Sequence, residues 1–223
     1  MSPRRLVLVS LWRSYRRVLA WFLGILVVGV TIADLVATRV ADPAPGIWMY
    51  VANAFRWWLA VIAVVLVTSN LRNYVAGGIT RRDFLAGAAT LLALAAVAFS
   101  IVVPLGHGIE YALHGGSGFS AAIALRDFGH TLPACLAAAV TGAAASAGFY
   151  RYGARGGLVL LVPALLPAAV TEALLSTDAD GQVETRFLPY AAALLVSLTV
   201  TAAVAVLNHR ELRDVAIRRS GLG

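Results

Sequence analysis

The sequence predicts an all-α integral membrane protein with six transmembrane helices, preceded by an amphipathic interfacial helix. The chain is 60% hydrophobic and its mean hydropathy is +0.82. A soluble domain is ordinarily about 45–50% apolar, so the excess indicates that lipid is the solvent. Six apolar stretches also approach the length of about 20 residues that a bilayer core requires, and the arginines gather in alternate connections between these stretches.

The chain is predicted to have three parts: an interfacial helix at 1–17, a transmembrane domain at 18–207 and a cytoplasmic tail at 208–223. Over residues 3–17, apolar residues alternate irregularly with arginines. The apolar residues are Leu6, Val7, Val9, Leu11 and Trp12, and the arginines are Arg4, Arg5, Arg13, Arg16 and Arg17. This pattern is typical of a basic helix that lies in the inner interface, with its arginines at the lipid phosphates. The alternative is a simple cytoplasmic extension of the first span.

The spans are placed on the apolar stretches themselves. The start of the second span is the least defined, because Arg56 falls inside it while Trp57 and Trp58 suit a membrane interface. If those tryptophans mark the outer interface, this helix starts near residue 55 and continues to Ala76. The predicted spans lie near 18–38, 50–72, 83–105, 129–150, 156–176 and 187–207.

The arginines orient the spans. All 18 basic residues are arginine, and 14 of them fall on the side that holds both termini and the turns at 70–83 and 151–155. Three fall on the other side, and Arg56 lies near that end. The positive-inside rule therefore predicts a multi-pass plasma-membrane protein with both termini cytoplasmic. The net charge of +7 is explained by arginines that contact membrane lipid, and no nucleic-acid partner is expected.

The stretch "AGGITRRDF" separates the second and third spans. Gly77 and Gly78 are suited to close a helix by adopting positive φ. Thr80 and Asp83 have the spacing of a capping box, with Asp in place of the usual Glu. One helix is therefore expected to stop at 76–78 and the next to start at 80, in a tight cytoplasmic hairpin. A well-capped turn with positive-inside arginines explains these residues as well as a partner-docking role does.

The longer stretch "GGITRRDFLAG" resembles the cytoplasmic loop of permease subunits of type-2 ABC exporters, particularly actinobacterial members. The resemblance covers about a dozen residues, Gly78–Gly87, and the six-span plan agrees with it over the whole chain. It implies that this loop rests in a cleft of a separate ABC ATP-binding subunit. Arg81, Arg82 and Asp83 would be the exposed contacts. The implied coupling residues are Asn73, Tyr74, Gly77, Gly78, Thr80, Arg81, Arg82 and Asp83.

The resemblance further implies a homodimer, or a heterodimer with a second permease, that exports an amphipathic or hydrophobic substrate. The chain departs from larger family members in having no sizeable extracellular domain and no fused ATPase. It contains no lysine and no Walker motif, so ATP and Mg²⁺ would be bound by the partner subunit and no cofactor by this chain. The chain itself is then not an enzyme.

Two other functions fit the same spans. A non-transporting membrane scaffold or immunity-type protein needs no ATPase, and an adjacent ATPase gene would argue against it. An integral-membrane enzyme acting on lipid needs polar groups that converge at one depth. No such catalytic set is visible in the sequence.

Several polar and helix-breaking residues fall within the spans. Asp34, Arg56 and Glu172 lie near outer ends, where ionisable groups ordinarily face protein or a water-filled cavity. Arg56 is suited to pair with Asp34 or Glu172, as a structural contact or along a pathway. Pro163 and Pro167 each remove a backbone hydrogen bond, which predicts either a fixed bend or a hinge in the fifth span.

Two further patterns have ordinary structural readings. Small residues recur every four positions in the fourth span and predict a helix-packing face, with substrate lining as the alternative. They are Ala134, Ala138, Gly142 and Ser146. The spacing of His107, Glu110 and His114, with His130 nearby, is compatible with zinc. Intervening glycines favour a loose loop instead, so no metal site is predicted.

Overall fold

The computed structural model describes residues 2–40, 48–113, 119–177, 183–185 and 187–213. Apart from two short paired strands, the regular structure of these residues is helical. His114 and the tail beyond Arg213 lie outside the described residues. In chain order the elements are α1 (Pro3–Val40), α2 (Trp48–Val65), a π-helical turn (Leu66–Asn70), α3 (Leu71–Ala76), α4 (Arg81–Leu113), α5 (Ala121–Leu174), β1 (Ser176–Thr177), β2 (Val183–Glu184) and α6 (Tyr190–Arg213).

Five helices in the described ranges are long and apolar enough to cross a membrane by length and composition. One of them is the continuous segment that α2, the π-helical turn and α3 form together. This helix extends to Ala76, as expected, but it begins at Trp48 and not near residue 55. The five segments are Pro3–Ala33, Val51–Ala76, Arg81–Ala112, Ala121–Leu174 and Tyr190–Arg213.

Helix α1 differs from the expectation of a separate interfacial helix at 1–17. It is unbroken from Pro3 to Val40 and runs beside α4 in the same direction. Val7 lies over Gly87 near the start of α4. Further along, the Phe22 and Phe99 rings are 6.5 Å apart. Residues 3–17 thus continue the first helix along the bundle, because their apolar positions extend the stripe that packs on α4.

The core consists of two clusters along the bundle. The first surrounds the start of α4 and brings Val7, Phe84 and Leu212 together, so both ends of the described chain meet at the 77–80 turn. The second is aromatic, with Phe55 stacked on Phe99 at 4.2 Å between ring centroids. The first cluster fixes α1, α2, α4 and α6 relative to one another at the end of the bundle that carries the turn, and the second joins α2 to α4 further along the bundle.

Helix α5 is two helices joined at Gly153, the one position inside it with non-helical backbone angles (φ 73°, ψ −168°). The segments 121–152 and 154–174, here the first and second arms, fold against each other. Gly148 lies against Leu160, although a straight helix would separate these residues by about 18 Å. At the far end, the His130 ring lies 3.2 Å from the Leu175 carbonyl oxygen. The arms therefore form an antiparallel hairpin.

The predicted packing face of the fourth span lies on the first arm, and its four small residues are buried. A Cβ added at Gly142 would lie 2.3 Å from the carbonyl oxygen of Ala60, so α2 and the first arm approach backbone to backbone. The second arm stays helical through Pro163 and Pro167. The described backbone therefore has no break at either proline, and the reversal of the chain occurs at Gly153 instead.

We expect Gly153→Ala to destabilise the protein. The φ and ψ angles of Gly153 fall in a region that essentially only glycine adopts, so a side chain there costs of order 1–3 kcal/mol. At about 2–4 °C per kcal/mol, the thermal unfolding midpoint in detergent should fall by several degrees. Gly24→Ala is the matched control, because a Cβ at Gly24 meets nothing within 4 Å. Equal midpoints for the two variants would contradict this role of Gly153.

Candidate functional site

The turn between α3 and α4 begins with a Schellman cap. Gly78 has a φ of 87°, its N–H donates to the Val75 carbonyl, and the Ile79 N–H donates to the Tyr74 carbonyl, both at 3.1 Å. These bonds satisfy carbonyls that the end of a helix leaves without partners. The predicted helix stop at 76–78 is confirmed, with α3 ending at Ala76.

The start of α4 is capped by Thr80, as the spacing predicts. The Asp83 backbone N–H donates to Thr80 Oγ1 at 3.2 Å, and the Thr80 hydroxyl donates to Asp83 Oδ2 at 2.7 Å. Arg4 Nε lies 3.2 Å from the other carboxylate oxygen, Oδ1. The Asp83 carboxylate therefore joins the turn to the start of α1 as well as capping α4.

Two more hydrogen bonds fasten α1 to the helix that enters the turn. The Tyr74 hydroxyl donates to Ser10 Oγ at 2.8 Å, and Asn70 Nδ2 donates to the Tyr15 hydroxyl at 2.7 Å. Together with the Arg4–Asp83 contact, they hold more than two turns of α1 against the 70–83 segment. The sequence does not predict these contacts between helices, because their partners are 55 to 79 residues apart and form no local pattern.

The predicted coupling residues differ in their exposure. Asn73, Gly77, Gly78, Thr80 and Arg82 are exposed, whereas Tyr74, Arg81 and Asp83 are half-buried. Tyr74 also packs on Phe84, with 5.2 Å between ring centroids. Of the three residues expected to be exposed contacts, Arg82 alone is exposed. Arg81 is half-buried, and Asp83 is half-buried and contacts Thr80 and Arg4. Asn73 and the two glycines lie beside Arg82 on the surface of the turn.

The second turn at this end of the bundle is also tied down. Arg151 Nη1 lies 2.5 Å from a carboxylate oxygen of Glu211 and donates to the Glu211 backbone carbonyl at 3.1 Å. The Tyr152 hydroxyl donates to the same carboxylate at 3.1 Å. The α5 hairpin is thus fixed to the last turn of α6, while Arg155 remains exposed beside it.

Of the predicted buried charges, Arg56 and Glu172 form an ion pair between α2 and the second arm. This is one of the two pairings that the sequence suggested. The Asp34 side chain lies outside the described part of the structure, although its backbone belongs to α1. The Arg56 side chain is 28% exposed and that of Glu172 58%, so the pair lies at the edge of the bundle and not in a closed core.

The predicted histidine cluster is separated by the fold. His107 Nδ1 lies 2.8 Å from Asp127 Oδ2, and both side chains are buried. His130 instead contacts the Leu175 carbonyl. Among the described residues, no three His, Cys, Asp or Glu side chains are placed to hold a metal ion. Asp127 was missed from the sequence because it lies 20 residues from its partner.

Comparison with family models, with curated proteins and with solved structures finds no match to this chain.

We expect exchanging the charges of Arg56 and Glu172 to show that they are coupled. Arg56→Glu or Glu172→Arg alone places two like charges side by side and removes an ion pair that contributes about 1 kcal/mol at a partly exposed site. Each single variant should lower the thermal unfolding midpoint in detergent, and the double exchange should recover most of the loss. A double variant no more stable than the worse single variant would show that the two residues act independently.

Proposed function

We propose that this chain is the membrane-spanning permease subunit of an ATP-driven ABC exporter. It couples a separate ATPase subunit to the efflux of an amphipathic or hydrophobic substrate. The observation that carries the proposal is the 77–80 turn, which is capped on both sides, presents Arg82 to solvent and is fastened to α1. A rigid, exposed and basic projection of this kind is suited to receive force from a partner.

The membrane arrangement in this proposal has six spans, with the two arms of α5 crossing separately. The second arm, residues 154–174, is about 31 Å long at 1.5 Å per residue, which matches a hydrocarbon core of about 30 Å. The Gly153 turn then lies at the same end of the bundle as the 77–80 turn, Arg4 and Glu211. The excess of arginines at this end supports its placement in the cytoplasm of a plasma-membrane protein.

Coupling in this proposal follows the contacts of the turn. A shift of the turn is passed to α4 through the Thr80 cap. It is passed to α1 through Asp83–Arg4 and Tyr74–Ser10. The free energy comes from nucleotide, which binds two conformations of the ATPase pair with different affinity, and the permease transmits the difference. ATP and Mg²⁺ are held by the partner, and two permease chains pair to form the pathway.

We expect Arg82→Glu to weaken the association with the ATPase while the protein stays folded in the membrane. Arg82 is exposed on the turn, and reversing its charge places an acidic group where the partner is proposed to meet a basic one. The measurement is affinity purification from native membranes in mild detergent, with quantification of any co-purifying chain that carries Walker and ABC signature motifs. The unmodified protein should bring down such a chain in equal amounts.

Arg155→Glu is the control, because Arg155 is also exposed but lies on the other turn at that end. It should retain the ATPase. Loss of the ATPase from both variants alike would indicate a general charge effect and not a contact of the turn. Recovery of the unmodified chain with no ATPase would contradict the proposal and favour a non-transporting scaffold or immunity-type protein.

A further inference from the structure

An apolar groove lies between α4 and α6, in the half of the bundle that carries the 77–80 turn. Its volume is about 470 Å³, within the range of about 300–1,000 Å³ that is usual for small-molecule sites. Buried residues of α2 and the first arm, such as Ala63 and Ala139, form its floor. Exposed alanines, Ala89 on α4 and Ala202 on α6, line its open side. Because these side chains are short, α4 and α6 leave a slot between them.

The groove contains one polar group that the protein does not satisfy. Thr201 lines the α6 wall and is only 5% exposed. Its hydroxyl oxygen is buried and has no hydrogen-bond partner among the described residues. A buried hydroxyl left in this state costs about 1–3 kcal/mol, and the cost is removed if a bound molecule supplies the missing partner.

The end of the groove nearest the 77–80 turn is lined by Asn208 and His209. Arginines adjoin this end in the sequence: Arg210 and Arg213 occupy the last turn of α6, and the exposed Arg82 precedes the lining residue Phe84 by two positions.

Within the described ranges, the acidic side chains at this end do not offset that charge in full. Asp83 is engaged by Arg4 and Glu211 by Arg151. This end of the groove, here called its mouth, is therefore complementary to an anionic group. The slot behind the mouth is complementary to an apolar chain.

We propose that this groove binds a free anionic amphiphile. One apolar chain lies in the slot, the anionic group lies at the mouth, and a hydrogen-bonding group in mid-chain bonds Thr201. Thr201 and Asn208 are seven residues apart on one helix, which places the mid-chain group about 10 Å from the anionic end. A long-chain fatty acid with a hydroxyl near its middle has this chemistry.

The inference rests on the proposed function, since it requires the groove to lie at the depth of the inner leaflet, and it deepens that function by naming a substrate class. Binding to the groove needs neither ATPase nor nucleotide. A failure to bind the amphiphile therefore leaves the coupling turn untouched, and a failure to recover an ATPase leaves the groove untouched.

The test measures binding of a radiolabelled mid-chain hydroxy fatty acid to the full chain in phosphatidylcholine nanodiscs. The unhydroxylated parent acid is the matched ligand. The hydroxylated acid should bind about three- to tenfold more tightly, as one added hydrogen bond allows, and Thr201→Val should remove this preference while leaving the parent acid unaffected. Equal binding of the two acids to the unmodified protein would overturn the assignment of Thr201.

A second pair of variants tests the location of the site. Ala202→Phe fills the groove and should weaken binding of both acids by at least about tenfold, a change of roughly 1.4 kcal/mol. Ala203→Phe is the control, because Ala203 is exposed on α6 but outside the groove, and it should bind normally. Ala89→Phe, on the opposite wall, should reproduce the effect of Ala202→Phe.

Equal binding by the Ala202→Phe, Ala89→Phe and Ala203→Phe variants would place the amphiphile elsewhere. If phosphatidylglycerol in the nanodiscs removes fatty-acid binding, the groove is a phospholipid site and the proposal is overturned.

Discussion

In lipid, a backbone N–H or carbonyl that finds no partner within the protein costs several kcal/mol, and this cost governs where an apolar chain can leave a helix. The described chain leaves its helices at places where the cost is met. Between α3 and α4, Gly78 and Thr80 satisfy both helix ends within five residues. At Gly153, a single glycine with non-helical backbone angles joins the two arms of α5, and this turn lies at the end of the bundle and not midway along it.

Side-chain contacts hold together the end of the bundle that carries both turns. Asp83 caps α4 and holds Arg4, whereas Glu211 holds Arg151 and Tyr152. Each carboxylate thus joins elements that are distant in the sequence. Below them lies a cluster in which Val7, Phe84 and Leu212 pack together. A force applied at the 77–80 turn therefore reaches α1, α4 and α6 through short contacts, which is the property that the coupling proposal requires.

The sequence predicted the features that depend on neighbouring residues. The helix stop at Ala76 and the Thr80 cap follow from residues within four positions of each other, and hydropathy alone identifies the long apolar helices. It could not predict that residues 3–17 continue α1, because their alternating arginines suit an interface equally well and the deciding contact is with Gly87. The Arg4–Asp83 and His107–Asp127 contacts join distant parts of the chain and have no local signal. The groove likewise arises only when alanines of α4 and α6 face each other.

The central claim, that the 77–80 turn faces the cytoplasm, is tested most directly by thiol labelling with a membrane-impermeant reagent. Single cysteines are placed by Arg82→Cys, Arg155→Cys and Ser117→Cys in a Cys135→Ala background. We expect the first two to be protected in intact cells and labelled in inverted vesicles, with the reverse for Ser117→Cys. Labelling of Arg82→Cys from outside intact cells would contradict the account, because no cytoplasmic ATPase could then reach the turn.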